Sequence, residues 1–295
     1  MKMLPAFVGA PEINKVYNVD AMTLLKAMPD GSCDAIITDL PYGTTACTWD
    51  EIIPFAPMWA EVKRTLKPRG VFVTTASQPF TSKLVMSNIE MFKYSWVWEK
   101  TMAGMFVHAK NRPLKKHEDV LVFSQGVVNH EGLTENRMNY YPQIENNGTP
   151  YSKKSFRDRR SSDTMFGFRS SHVDYETTDK TTRYPTTILE FPNGNNGVQH
   201  PTQKPVALYE YLIRTYTQPG ELVVDFCCGS GTTALAARNL KRDYIVGDSD
   251  EHYCNVARER LRQPYEPHYI KSENDLSGLP LFEMSAMRNA LISHD

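Results

Sequence analysis

Short apolar runs alternate with amphipathic stretches along this chain, and the alternation fails once, in the middle, before it resumes. KVYNV (15–19), DAIIT (34–38), GVFVTTA (70–76), YSWVWEK (94–100), DVLVFS (119–124), ELVVDFC (221–227) and DYIVGDS (243–249) are brief and rich in β-branched or aromatic residues, which predicts strands. Between them, DAMTLLKAM (20–28), PFAPMWAEVKRTL (54–66), VALYEYLIRTY (206–216), TTALAARNL (232–240) and DEHYCNVARERL (250–261) repeat apolar positions at helical spacing. Strand and helix taking turns at both ends of the chain predict a doubly wound, mostly parallel α/β sheet with helices on both faces. From 127 to 198 the pattern is polar and turn-rich. A structureless loop of about 70 residues is uncommon inside a domain, so this stretch reads as an inserted small domain. The expected organisation is therefore 1–126, a first half of the sheet; 127–198, the insertion; 199–263, a second half; and 264–295, a tail.

Composition changes this picture little. With 295 residues, 41% hydrophobic, 23% charged and a net charge of −1, the chain has the balance of an ordinary globule, and any basic surface has to be local. No apolar run reaches membrane-spanning length, and MKMLPAFVGAPE is too short and too weakly apolar for a secretory signal, so a cytoplasmic protein without membrane contact is expected. The five cysteines, Cys33, Cys47, Cys227, Cys228 and Cys254, form neither a CxxC pair nor a zinc spacing; reduced thiols and no metal are expected.

Two stretches carry candidate chemistry. The first is VVDFCCGSGTT (223–233), a buried strand running through a glycine turn into a helix. Gly229 and Gly231 permit a tight turn and close approach of a ligand to the backbone, and Asp248 at the end of the next strand is placed to accept from ribose hydroxyls. An ordinary strand–helix turn would use the same glycines. With the acid in place, an adenosine-containing cofactor is expected, either a nicotinamide dinucleotide or S-adenosylmethionine. A dinucleotide needs a second nucleotide-binding half after the first, and about 30 residues follow, so the smaller cofactor is favoured.

The second stretch is TDLPYG (38–43), at the end of the apolar run DAIIT. Pro41 stiffens the turn and keeps Leu40 out of a helix, which aims the Leu40 carbonyl and the Asp39 carboxylate in one direction with the Tyr42 ring beside them. Two acceptors and a flat face suit a planar base with an exocyclic amino group. Hydrogen bonds from that group favour a pyramidal nitrogen and stabilise the positive charge of methyl transfer. Alternatively, Asp39 caps a turn and Tyr42 is a surface aromatic.

Together these motifs resemble the amino-group DNA methyltransferases that use S-adenosylmethionine. Their catalytic motif is (Asp/Asn/Ser)-Pro-Pro-(Tyr/Phe), and their cofactor motif is close to Asp-Pro-Phe-x-Gly-Ser-Gly. Here the catalytic tetrapeptide Asp39, Leu40, Pro41, Tyr42 precedes the cofactor motif at Asp225, the permuted order of the beta group. HPTQKP (200–205), HEDVLVFS (117–124), NVDAMTLLKAMPDGSCDAIITDLPYG (18–43) and RDYIVGDSDEHYCNVARERL (242–261) are similar to further blocks of that group. The resemblance covers about 14–126 and 199–262 and implies a Rossmann-like sheet with a target recognition domain at 127–198. It departs in three places. Leu40 replaces a proline, Phe226-Cys227 stands where Pro-Phe is usual, and Val246-Gly247-Asp248 where Gly-Ile-Glu is usual.

The implied activity is methyl transfer to adenine N6 in duplex DNA after base flipping, Asp39 rather than Ser favouring adenine over cytosine N4. Still open are cytosine N4, an inactive DNA-binding protein of the same fold, a dehydrogenase, and RNA or glutamine as acceptor. Cofactor contacts are implied for Asp20, Thr202, Lys204, Asp225, Gly229, Ser230, Gly231, Thr232 and Asp248, with the Lys204 ammonium on the cofactor carboxylate. Asp20 serves equally as a helix N-cap. Lys110, Arg112, Lys115 and Lys116 in HAKNRPLKKHE, and Lys153, Lys154, Arg157, Arg159 and Arg160 in YSKKSFRDRR, are candidates for phosphate contacts. A homodimer is a further candidate partner. In the tail, Leu279, Leu281 and Phe282 of GLPLFE are similar to the Gln-Leu-x-Leu-Phe peptide that docks on the bacterial sliding clamp, with Gly278 in place of glutamine; packing back on the sheet is the competing reading.

Overall fold

A computed structural model describes residues 9–45, 50–128, 134–151, 180–193 and 203–264. In chain order the strands are β1 (Lys15–Asn18), β2 (Cys33–Thr38), β3 (Leu66–Ala76), β4 (Phe92–Gly104), β5 (Lys115–Ser124), β6 (Glu145–Tyr151), β7 (Lys180–Arg183), β8 (Ile188–Phe191), β9 (Leu222–Asp225) and β10 (Asp243–Asp248). The helices are α1 (Ala21–Ala27), α2 (Phe55–Thr65), α3 (Phe80–Ser87), α4 (Val206–Tyr216), α5 (Thr232–Asn239) and α6 (Glu251–Arg262). The chain divides into two compact units, residues 144–185 and the remainder.

The larger unit is an eight-stranded sheet in the order β1-β10-β9-β2-β3-β5-β4-β8. β5 alone runs against its two neighbours; every other adjacent pair is parallel. The α/β fold with a mostly parallel sheet is thus as the alternation requires. Alternate residues of each central strand enter opposite cores. Ala35, Ile37, Val71, Val73 and Val223 pack under α4 and α5, while Ile36, Phe72 and Val224 pack against α1, α2 and α3. This period of two with both faces apolar is why the strands read as continuous hydrophobic runs. Local chemistry sets the helix starts. Asp20 caps α1 by accepting from the Thr23 amide at 3.0 Å, and Asp250 caps α6 by accepting from the His252 amide at 2.8 Å.

The order of strands reverses between β9 and β2, which lie side by side in parallel, Ala35 facing Val223 and Ile36 facing Val224. A doubly wound sheet opens a crevice at such a point, beyond the carboxyl ends of the strands.

Two elements of the larger unit escape the hydropathy pattern. α3 follows β3 directly, and β8 comes from the polar middle stretch yet pairs in parallel with β4, Val97 opposite Ile188. Residues 127–143 and 186–193, assigned from sequence to the insertion, belong to the larger unit. The smaller unit contains β6 and β7, paired antiparallel. Among the described residues no helix is long and apolar enough to cross a membrane.

Candidate active site

A cleft of about 850 Å³ opens at the β9–β2 reversal. Asp39 to Tyr42 line it from the end of β2, Asp225 to Ser230 from the end of β9, Asp248 from β10, and Asp20 from the start of α1. The two motifs therefore share one cavity. A bond between the ends of their strands fixes their spacing: Thr38 Oγ1 donates to Asp225 Oδ1 at 2.7 Å.

Asp39 is held from three directions. Tyr42 Oη donates to its Oδ1 at 2.9 Å, Thr75 Oγ1 from the end of β3 donates to the same oxygen, and Lys204 Nζ lies 2.5 Å from Oδ2. Leu40, the departure from the family proline, is 3% exposed and packs into the α1–α3 core, an apolar anchor for the turn. Tyr42 is half-buried and stacks on Phe80, ring centroids 5.1 Å apart at 24°. Burial, with Asp39 and Glu118 adding to it, holds its phenol well above the ordinary pKa, so it stays a neutral donor. Past the tetrapeptide, Asp50 accepts from the amides of Gly43, Thr44 and Thr45 at 2.9, 2.9 and 2.7 Å and ties the loop. Burial opposes ionisation of Asp50, but these bonds prevail and lower its pKa.

Lys204 lines the cleft, and its buried ammonium pairs with Asp39 and lies 3.6 Å from Glu118 Oε2. Glu118 also binds Lys100 at 2.5 Å. Burial works against the charge on both Lys204 and Glu118, but the opposite charges outweigh it: Lys204 is raised and Glu118 lowered. Neither Glu118 nor Thr75, Asp50 and Lys100 was a candidate from sequence. HEDVLVFS contains Glu118, and a charged residue at the start of an apolar run was the available signal.

The glycine turn is built as its sequence suggests. Asp225, 2% exposed, accepts from Thr38, from the Cys227 amide at 3.0 Å and from Thr233 Oγ1 at 2.5 Å. Gly231 has φ +79°, and a Cβ there would stand 2.6 Å from that of Ala257 in α6. Asp248 Oδ2 accepts from the Gly229 amide at 2.9 Å and its Oδ1 from the Asp250 amide at 2.9 Å. Ser230 bonds Gln203 at 2.9 Å, and Arg260 Nη1 donates to the Ser230 carbonyl at 2.6 Å. Thr232 and the turn residues face the cleft. Phe226 is buried, its ring against Phe72, and lines the cleft together with Cys227. Asp20 serves as the N-cap of α1 and lines the cleft as well.

Of the basic candidates, Lys110 and Arg112 are exposed, whereas Lys115 bonds Ser77 Oγ and Lys116 pairs with Glu99 at 2.7 Å, so these two are partly engaged within the fold. Thr202, Lys153, Lys154, Arg157, Arg159, Arg160, Leu279, Leu281 and Phe282 lie outside the described residues.

The cleft places an acid–turn–tyrosine unit beside a glycine turn with an acid on the next strand, and comparison with known proteins gives the same grouping. The family profile of N6/N4 methyltransferases, described as DNA methylase, matches residues 33–259. The Type II methyltransferase M.HpaI of Haemophilus parainfluenzae is 27% identical over 277 residues, 88% of this chain and 79% of that one. Among solved structures, the cytosine-N4-specific PvuII DNA methyltransferase has a similar fold, with a TM-score of 0.58 over 97% of this chain and 95% of that one at 17% identity. The complex of M1.HpyAVI with SAM gives 0.51 over 84% and 99% at 23% identity. A profile match spanning both motifs, over a sheet of the same architecture, places this chain in the DNA methylase family of amino-group (N6/N4) methyltransferases.

Proposed function

We propose that this protein transfers a methyl group from S-adenosylmethionine to N6 of adenine in duplex DNA. The observation that carries the reading is the shared cleft, lined both by Asp39 and Tyr42 and by Gly229 and Ser230 of the glycine turn. The wall fits the cofactor: Asp248 and Asp20 offer acceptors for ribose hydroxyls and an amino group, and the glycine turn brings backbone to the surface. Bound S-adenosylmethionine supplies an electrophilic methyl group.

The chain's own residues do the rest. Asp39 and the Leu40 carbonyl accept from the exocyclic amino group, turning its lone pair out of conjugation and stabilising the charge that develops. Thr75, Tyr42 and Lys204 keep the Asp39 carboxylate from rotating away. The target base has to leave the helix to reach this depth, and Tyr42 offers its ring for stacking. Within the stretch 127–198, the compact unit at 144–185 is the part that reads the DNA sequence.

Nucleoside analysis of DNA incubated with the enzyme and labelled S-adenosylmethionine tests this. N6-methyladenine is expected; N4-methylcytosine would move the assignment to the other branch of the family. Sequencing of the methylated positions gives the site. In the same assay Asp39→Ala loses turnover by at least about a hundredfold while cofactor affinity stays near wild type. Asp248→Ala loses cofactor affinity first. Equal loss of cofactor binding in both variants would remove the division of roles.

A further inference from the structure

The loop between β4 and β5 exposes an apolar cluster at the rim of the cleft. Phe106 is 76% and Val107 75% exposed, with Met102 and Met105 beside them in the chain and also exposed. Single exposed apolar residues are ordinary, but adjacent large ones mark a contact surface. This loop is not left loose. Phe106–His108 form a 3-10 turn closed by His108 N to Met105 O at 2.9 Å, and Asn111 N to His108 O at 2.8 Å continues it. Met105 starts the turn in left-handed backbone, φ 66°, an unusual conformation for a long side chain, of the kind that collects at functional sites. Asn193 clasps the Met102 backbone on both sides, at 3.4 and 3.1 Å. Met105 and Asn193 line the cleft itself. A few residues on, Lys110 and Arg112 are exposed.

We propose that Phe106 and Val107 are a wedge that enters the base stack of duplex DNA next to the target base, with Lys110 and Arg112 on the flanking phosphates. The inference rests on the methyltransferase reading above. An apolar tip with cations behind it is complementary to stacked bases beneath a phosphate backbone. Its place at the cleft rim is where a base would be pushed out of the helix and a filler needed for the gap.

The test uses the full-length protein and an oligonucleotide duplex bearing the site found by sequencing. Phe106→Ala/Val107→Ala is compared with wild type on three acceptors: the intact duplex, the same duplex with an abasic position opposite the target, and the single strand. On the intact duplex kcat/KM falls about tenfold or more. On the other two acceptors, where less stacking has to be broken, it returns towards wild type. A fluorescent 2-aminopurine at the target position brightens with wild type and less with the variant. Lys110→Gln/Arg112→Gln weakens binding and flattens its salt dependence by about one unit for each phosphate no longer neutralised. Unchanged activity on the intact duplex, or equal loss on all three acceptors, overturns the wedge. A change of sedimentation in the Phe106/Val107 variant assigns the patch to a second copy of the chain and also overturns it. Absence of methyl transfer by wild type to any DNA would take down the parent reading and this one with it; transfer by wild type with an indifferent variant takes down this one alone.

Discussion

A carboxyl group shut away from water needs donors, and Asp225 has three: two threonine hydroxyls and an amide. They do not fully replace solvent. Burial pushes its pKa up to about 7, although Thr233, Thr38 and the Cys227 amide pull the other way. The folded chain then holds this proton to higher pH than the unfolded chain, where the group titrates near 3.8. Its contribution is fully present below the unfolded value and is lost as pH rises through 7. Urea unfolding should show it. Asp225→Asn, which keeps the size and the hydroxyl partners, removes this component. The difference in stability between variant and wild type should therefore grow in the variant's favour from about pH 4 to 7, by up to about 4 kcal/mol. A difference that does not change with pH would mean that Asp225 is ionised at no cost. Glu118 and Lys204 contrast with this, since each has an opposite charge to answer burial and both stay ionised through neutral pH.

At the scale of elements, α6 and the glycine turn depend on one missing methyl group. Gly231→Ala places a Cβ 2.6 Å from the Ala257 Cβ, against helix rather than against a flexible tip, at a φ that side chains rarely adopt. A loss of about 2 kcal/mol is expected from strain and displacement of α6, read as a lowered Tm, with cofactor affinity falling alongside. The strands and helices at both ends were legible because each central strand faces two cores and each helix one, so their periods differ. β8 was not: four residues, Ile188–Phe191, carry too little pattern inside a polar stretch, and β4 recruits them across the sheet edge. α3 is eight residues long and lacks a side-chain cap. In the site, Asp39, Tyr42, Gly231 and Asp248 were readable because each belongs to a local turn. Glu118 and Thr75 were not, nor was the pairing of Lys204 with Asp39, which joins residues 165 positions apart. No spacing rule within one sequence reports such a contact.

For the whole molecule, the proposed chemistry and the proposed sequence reading fall on separate units of the chain. Among the described residues, those that line the cleft belong to the larger unit, while residues 144–185 form their own compact unit. Exchanging 144–185 for the corresponding segment of a related enzyme should change the methylated sequence and leave the methylated atom as it was, which sequencing and nucleoside analysis of the same DNA would show. An unchanged site would put recognition on the larger unit. The reversal at the middle of the sheet also fixes when the cleft can come into being. Thr38 and Asp225 are 187 residues apart in the chain and 2.7 Å apart in the fold. During synthesis β2 leaves the ribosome with one edge unpaired, and its partner β9 is made only after the whole middle of the protein has followed. Pairing across so long a loop is slow, and an open apolar strand invites the wrong neighbour while it waits. The methylating centre is thus among the last features of the molecule to assemble, and a nascent chain stopped short of β9 can have no activity however well its first half has folded.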